Sequence, residues 1–294
     1  MRLLICIDDT DSKTSEKGTG AIADDIRNMI STYFEVPCSF VSRHQLLIHP
    51  DVPYTSHNSS MCFATEIPDD CYDELKMRAQ IILMGESDME SDPGLAIADI
   101  DKVDKEPLIR YAKECKRRLM TKEDAYAIAE EAGFFLKELG GTGDGIIGAA
   151  AGVGLRLWGC DGTMKGRPKD LEGGKTYRVR DLKQSAFVED VLDTEGNPVP
   201  DGDTVTLPKK TKVAIYGGRQ VILLQPVPEE PGVWETPDKE RMKHFGGDRV
   251  FKEGCPDFTP DVEEEQTGDG GCYDCLYRRW MEKGVFCQKP EDDA

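Results

Sequence analysis

Over the first hundred residues the apolar positions alternate between strand-like and helix-like spacing, and that alternation narrows the fold more than any other feature. "RLLICI" at residues 2 to 7 is an unbroken apolar run of strand length, as a strand buried on both faces requires. From 20 to 34, Ile22, Ile26, Met29, Ile30 and Tyr33 recur at helical spacing. "SFVSRHQLLIH" (39–49) and "SMCFATEI" (60–67) are strand-like, separated by a polar, proline-bearing loop, "PDVPYTSHNS". Asp69 or Asp70 is placed to cap the next helix, which carries Tyr72, Leu75, Ala79, Ile82 and Leu83 on one side. "GLAIADI" (94–100) supplies a further strand. The order β-α-β-β-α-β predicts an α+β protein whose first domain is a ferredoxin-like sandwich.

Extra helices are expected over 107–119, opening with Pro107, and over 122–139, capped by Thr121 with Asp124 three residues on. "GGTGDGIIGAAAGVG" (140–154) then sets glycines ahead of a small-residue helix. Composition changes near residue 165, where "GRPKDLEGGK" reads as a linker. From 176 to 226, "TYRVR", "SAFVEDVL", "DTVTL", "KVAIY" and "RQVILL" are short strand candidates, with "DTEGNP" and "YGGR" as turns. The predicted division is a first domain at 1–165, a small β-rich domain at 166–230 and a cysteine-rich acidic tail at 231–294.

A hydrophobic content of 38% in 294 residues is enough for real cores. The net charge of −19 argues against broad electrostatic binding of DNA or RNA, because counterion release needs a basic surface. It leaves room for a small site in which Mg²⁺ meets phosphates. No apolar run reaches the roughly 20 residues that cross a bilayer. Asp8 and Asp9 follow the first strand at once, unlike a secretory signal, so a cytoplasmic protein is expected. In that compartment the ten cysteines read as metal ligands or reduced thiols rather than disulfides.

Asp8, Asp9 and Asp11 stand just past the end of the first strand, and close carboxylates repel one another unless a cation is shared. Mg²⁺ takes one or two protein carboxylates and completes its shell with water and phosphate oxygens. Thr19 and Gly20 open the following helix, whose N–H groups and dipole favour an anion. A cation site and an anion site on one loop suit a Mg-nucleotide; the plain alternative is an exposed acidic loop with Thr19 as an N-cap. Lys17-Gly18-Thr19 reverses the order of a Walker A loop, so no P-loop is present. Gly143 and Gly145 let backbone N–H groups approach a phosphate, and Asp144 adds a metal contact or orients a hydroxyl. The alternative there is a helix cap followed by tight helix packing. Tyr54, Thr55, His57 and Asn58 lie on a polar loop, while His57, Arg43 and His44 taken singly suit a surface better than a site. Cys255, Cys272, Cys275 and Cys287 supply four thiolates, two of them in a C-Y-D-C pair. Structural zinc is the expectation, with an iron–sulfur cluster or free thiols as alternatives.

"IDDTDS" followed by Gly-Thr-Gly and Ala21, "HPDVPYTSHN", "SDPGLAIAD" and "GDGIIGAAAGVG" occur in an order that resembles archaeal tRNA(Ile)-agmatinylcytidine synthetase, TiaS. The resemblance covers the kinase-like domain of that family, in the first 160 residues. It implies that ATP and Mg²⁺ are bound and a tRNA cytidine is activated by phosphoryl transfer. It implies further that Asp8, Asp9 and Asp11 hold Mg²⁺, and that Thr19, Gly20, Gly143 and Gly145 meet nucleotide phosphates. The chain departs from the family where Thr55, Ser56 and His57 replace basic residues and where Asp144 stands between Gly143 and Gly145. Less positive charge weakens tRNA docking and transition-state stabilisation, so the agmatine reaction is not inferred. The expectation is an ATP- and Mg²⁺-dependent phosphotransfer or nucleotide-activating enzyme, with Asp9, Asp11, Asp144 or His57 in catalysis and an RNA among the candidate acceptors. The alternatives are a non-catalytic nucleotide- or RNA-binding module with structural zinc, or a zinc-dependent interaction protein.

Overall fold

The structure, a computed structural model, describes residues 1–12, 14–47, 49, 51–52, 58–209 and 211–236, with the backbone of Arg278–Met281 and Gly284–Cys287. Two compact units are present, Met1–Trp158 and a second beginning at Gly159. The first unit contains β1 (Arg2–Asp8), α1 (Thr19–Tyr33), β2 (Ser42–Gln45), β3 (Ser59–Glu66), α2 (Tyr72–Glu86), β4 (Gly94–Asp99), α3 (Lys105–Glu114), α4 (Lys122–Ala132), β5 (Phe135–Glu138) and α5 (Gly145–Trp158). Its strands are ordered β5-β4-β1-β3-β2, every neighbouring pair antiparallel. The register sets Cys6 opposite Cys62 and Asp8 opposite Gly94.

Both faces of this sheet are covered, which explains the unbroken apolar run of its central strand. Successive side chains of a strand point to opposite faces. Leu3, Ile5 and Ile7 therefore pack with Ile22, Ile26 and Ile30 of α1 and Leu75, Ala79 and Leu83 of α2. Leu4 and Cys6 pack on the other side with Ala149, Ala150 and Val153 of α5 and Leu108 and Ala112 of α3. The small residues of α5 permit a close approach. A Cβ at Gly152 would fall 2.3 Å from Cys6 Sγ, and one at Gly154 would fall 2.5 Å from the Leu108 carbonyl oxygen.

Element boundaries depart from expectation at several places, three of them at helices of the first unit; the strands expected over 39–49 and 185–192 shorten to Ser42–Gln45 and Asp190–Asp193, and "TYRVR" passes into a helix at Val179. Asp69–Cys71 forms a single 3-10 turn, and no side chain caps α2. α3 begins at Lys105, so Pro107 is its third residue rather than its first. The helix expected to run to residue 139 stops at Ala132, because Gly133 takes a left-handed φ of 76°, and Phe135–Glu138 becomes an edge strand beside β4. Its start is as expected: Thr121 Oγ1 accepts from the Asp124 N–H, and Asp124 Oδ2 accepts from the Thr121 N–H.

The second unit holds β6 (Thr163–Met164), β7 (Thr176–Arg178), α6 (Val179–Leu182), β8 (Asp190–Asp193), β9 (Thr204–Thr206), β10 (Ala214–Tyr216), β11 (Arg219–Pro226) and β12 (Val233–Glu235). These strands follow the path β6-β10-β11-β12-β9-β7, with β8 parallel to β11. Gly217 and Gly218 both have positive φ, the backbone that a two-residue hairpin between β10 and β11 needs. β13 (Arg278–Met281) and β14 (Gly284–Cys287) pair antiparallel. Cys255, Cys272 and Cys275 lie outside the described residues, and Cys287 is described only as backbone. Cys6, Cys38, Cys62, Cys71, Cys115 and Cys160 are free thiols. No helix among the described residues is long and apolar enough to cross a membrane.

Overpacking at a glycine that touches backbone differs from filling open space. Gly154→Ala is expected to destabilise the first unit by about 1–3 kcal/mol. Gly85→Ala, where a Cβ meets nothing within 4 Å, is expected to stabilise it by about 0.4–1 kcal/mol. Urea denaturation of both variants checks this; equal effects would mean that α3 and α5 are not so closely packed.

Candidate functional site

The strand alternation that places Leu4 and Cys6 under α5 also places Asp8 there. Asp8 is buried, and a Cβ at Gly148 would fall 1.6 Å from its Oδ2 and 2.9 Å from Leu46 Cδ1. Glycine at 148 thus makes room for a carboxylate between sheet and helix. Burial pushes the Asp8 carboxyl up to about 8, helped by the charges of Asp9 and Asp11 and opposed by the Asp9 N–H, which donates to Asp8 Oδ1 at 2.9 Å. Asp9 has a left-handed φ of 52°, a strained position for a residue with a side chain. Burial first, then the charges of Asp92 and Asp11, raise its carboxyl to about 6; Asp144 adds a smaller push. Asp8, Asp9, Asp11, Asp92 and Asp144 therefore share one electrostatic neighbourhood at the end of β1.

Two helix N-termini meet this neighbourhood. Thr19, the first residue of α1, donates from Oγ1 to Asp11 Oδ1 at 3.2 Å. α1 has Gly18 at its N-cap, no side-chain cap and no acidic residue in its first turn, so Gly20 follows in a turn whose dipole faces no side-chain carboxylate of its own. On the other face, α5 starts at Gly145, and a Cβ there would lie 3.0 Å from the Asp8 carbonyl oxygen.

The loop leading into α5 is held from two sides. Thr142 N–H donates to the Asp92 carboxylate and Gly145 N–H donates to the Asp92 carbonyl at 3.0 Å. Lys122 Nζ donates to the Thr142 carbonyl at 2.5 Å and sits 3.4 Å from Glu138 Oε2. Gly141 and Gly143 have positive φ, and a Cβ at Gly143 would fall 2.0 Å from Glu138 Oε2. These glycines answer a packing demand that glycine alone meets. The loop after β1 is fixed in the same manner: Ser12 and Ser15 hydroxyls donate to Asp88 Oδ2 at 2.9 and 2.7 Å, and Asp88 N–H donates to the Thr10 carbonyl at 3.0 Å.

Asp88 and Asp92 escaped sequence reasoning. The signal for Asp92 lies in "SDPG": the antiparallel register that puts Gly94 opposite Asp8 brings Asp92, just before β4, beside the acids at the end of β1. His57 lies outside the described residues, as do Tyr54 and Thr55. Asn58 closes the base of that loop, donating from Nδ2 to the Leu47 carbonyl at 2.7 Å. His44 is not at the surface; it is buried with Nε2 2.8 Å from Ser42 Oγ, which donates to the Cys62 carbonyl.

Among the described residues, no group of three or more His, Cys, Asp or Glu side chains is arranged to hold a metal ion. The donor set is an open one, with two raised carboxylates in sequence at the mouth of two helix dipoles. Such a set suits Mg²⁺ that keeps water and takes its other ligands from phosphate, and does not suit a closed all-protein cage.

No protein-family model and no curated protein matches the chain. Among solved structures, it is similar to a complex of TiaS with tRNA and ATP, at 23% identity and a TM-score of 0.46, over 52% of this chain and 36% of that one. A tRNA fluorescent labelling enzyme matches at 24% identity and a TM-score of 0.46, over 52% and 36%. A complex of TiaS with tRNA, AMPCPP and agmatine matches at 18% identity and a TM-score of 0.45, over 74% and 52%. The chain thus spans about a third of the length of the first two, at 36%, and about half of the third. The TiaS structures belong to the family that the motifs of the first 160 residues resemble.

With carboxyls raised to about 8 and about 6 against an ordinary 3.8, the folded state keeps protons that the unfolded chain has released. Their contribution therefore destabilises the fold progressively as pH rises above about 4, by at most about 1.4 kcal/mol per pH unit for each group. Asp8→Asn is expected to flatten this decline and to raise the melting temperature most above pH 8, in buffer without divalent cations. Melting curves over that pH range decide it; an unchanged slope would remove the buried carboxylate as its cause.

Proposed function

We propose that the first domain, residues 1–165, binds ATP with Mg²⁺ and activates an acceptor by phosphoryl or nucleotidyl chemistry, the acceptor being a tRNA or another RNA. The observation that carries this reading is the pair Asp8 and Asp9, carboxylates raised by burial at the end of the central strand and flanked by the first turns of α1 and α5. A chain keeps such a pair against the energetic penalty when a divalent ion relieves it. The motif resemblance supports the same reading. On it, the first unit is a ferredoxin-like sandwich with a second helical layer formed by α3, α4 and α5.

Bound Mg²⁺ and ATP supply a transferable phosphoryl group and the positive charge that its transfer requires. Asp8, Asp9 and Asp11 would hold the ion, one or two of them directly and the rest through its water. The first turn of α1, with Thr19 and Gly20, and the loop at Gly143 and Gly145 orient phosphate oxygens through backbone dipoles. Because the Gly145 N–H is already given to Asp92, its part is to let the loop approach. Asp144 or His57 orients the acceptor. Cys255, Cys272, Cys275 and Cys287 hold structural zinc in a cytoplasmic protein whose other thiols stay reduced.

One observation favours a second reading, a binding module without turnover. Asp144 adds negative charge beside Asp9, where a phosphotransferase benefits from positive charge.

Thermal shift with ATP, with Mg²⁺ and with both separates the outcomes. Mg²⁺ and ATP together are expected to stabilise by about 2.7 kcal/mol at a hundredfold excess over the dissociation constant. Asp9→Asn is expected to lose the part of the shift that depends on Mg²⁺. Release of ADP that disappears in Asp9→Asn supports the enzyme; a shift without ADP supports the module. Absence of any shift with any nucleotide ends the enzyme reading and leaves the module only as one that binds RNA.

A further inference from the structure

α2 is apolar on two opposite faces, and the sheet uses only one of them. Leu75, Ala79 and Leu83 are buried against the strands. Met77, Ile81 and Met84 stand at i, i+4 and i+7 on the far side, where they are 51, 61 and 62% exposed. Met89, just past the helix end, is 99% exposed. Gly85 follows Ile81 by one turn, and a Cβ there would meet nothing within 4 Å. Single exposed apolar residues need no explanation, but a stripe of them along one helix marks a contact surface.

The charged side chains of α2 leave this stripe bare. Lys76 Nζ lies 2.7 Å from Asp73 and 4.5 Å from the centre of the Tyr72 ring. Arg78 stacks 3.5 Å over the Tyr33 ring while bonding Glu74 at 2.7 Å, and Glu86 accepts from Lys17 at 2.8 Å. From Ala79 to Gly85 the sequence carries no charge. A helix face that meets only water is normally polar, as α4 is at Glu123, Glu130 and Glu131.

The two ends of the stripe are acidic. Residues 69–90 hold seven acids and two bases, and both bases are paired within the helix. Asp69 is taken by the N-terminal ammonium at 2.9 Å and Glu86 by Lys17, whereas Asp70, Asp88 and Glu90 have no cationic partner among the described residues. A second copy of the chain is disfavoured there, because a two-fold axis on α2 would bring acid to acid. The complementary pattern is a helix whose apolar stripe lies between basic residues. Methionine suits such a contact because its unbranched thioether chain adapts to the side chains laid on it.

We propose that the stripe of Met77, Ile81 and Met84 receives a basic amphipathic helix of another protein. The partner's apolar residues cover the stripe, and its lysines or arginines meet Asp70, Asp88 and Glu90. The open side of Gly85 lets the two helix backbones come close at that end. This surface lies across the sheet from α5, because α1 and α2 cover one face and α3 and α5 the other.

The test is fluorescence anisotropy of the full chain with a short labelled peptide of leucine and lysine, patterned as an amphipathic helix. A scrambled peptide of the same composition measures the general attraction of a cation to a chain of net charge −19. Ile81→Glu/Met84→Glu adds two negative charges, so it binds more tightly if charge alone is at work. On the proposal it binds the patterned peptide about tenfold more weakly than the parent. Arg117→Gln/Leu119→Glu makes the same change of charge beyond the end of α3 and is expected to bind at least as well as the parent. Met77→Gln, a milder change at an exposed position, is expected to weaken binding too, so a misfolded double variant does not remove the test. The proposal is overturned if the parent fails to bind, if it binds patterned and scrambled peptides alike, or if Ile81→Glu/Met84→Glu keeps or gains affinity. A peptide with glutamate in place of lysine that binds as well also overturns it, because the acids would then not select the partner. So does a parent that sediments as a dimer and is split by Ile81→Glu/Met84→Glu, since a second copy would then occupy the stripe.

Discussion

The approach of the Asp8 carboxylate to the backbone of α5 at Gly148 is the constraint on which the first unit turns. It demands a helix without a side chain at that position, a strand that ends there and a charge held out of water. Each demand has a visible consequence. The helix is built from glycine and alanine and lies close on the sheet. The strand gives way to a residue in left-handed conformation, Asp9. Burial raises the proton affinity of Asp8 and, with the charges of Asp92 and Asp11, that of Asp9, and so ties stability to pH.

Around that point the loops are braced by their own polar groups. Asp88 gathers two serine hydroxyls and ties the loop after β1 to the turn before β4. Asp92 accepts from Thr142 and, through its carbonyl, from Gly145, tying that same turn to the loop before α5. Lys17 adds an exposed bridge to Asp25 and Glu86 at 2.9 and 2.8 Å. Three separate segments are thereby held at one end of the sheet by the chain's own polar groups.

Charge is divided unevenly along the chain. Acidic side chains crowd the end of β1, where they suit a hard divalent cation. Basic side chains gather instead on the exposed side of α3 and the turn beyond it, at Arg110, Arg117 and Arg118.

Much of the fold was legible in the residues. Apolar period alone identified β1, α1, β3, α2 and β4, because burial on one or both faces leaves a mark on spacing that local chemistry does not blur. The box of Thr121 and Asp124 was equally plain, since a cap is made by residues three apart. The end of that helix was missed: Gly133 was tolerable inside a helical pattern, and only a place beside β4 made Phe135–Glu138 a strand. Asp8, Asp9 and Asp11 announced themselves as a cluster, whereas Asp92 joined them only through the register of β1 against β4. Sequence determined which residues carry charge, which cannot carry a side chain and where chain direction changes, because these are properties of single residues and their near neighbours. Tertiary structure decided that Gly148 covers Asp8, that Gly145 yields its N–H to Asp92 and that the Cys115 carbonyl meets the Leu47 N–H, because each joins segments distant in the chain that meet only when both faces of the sheet are filled.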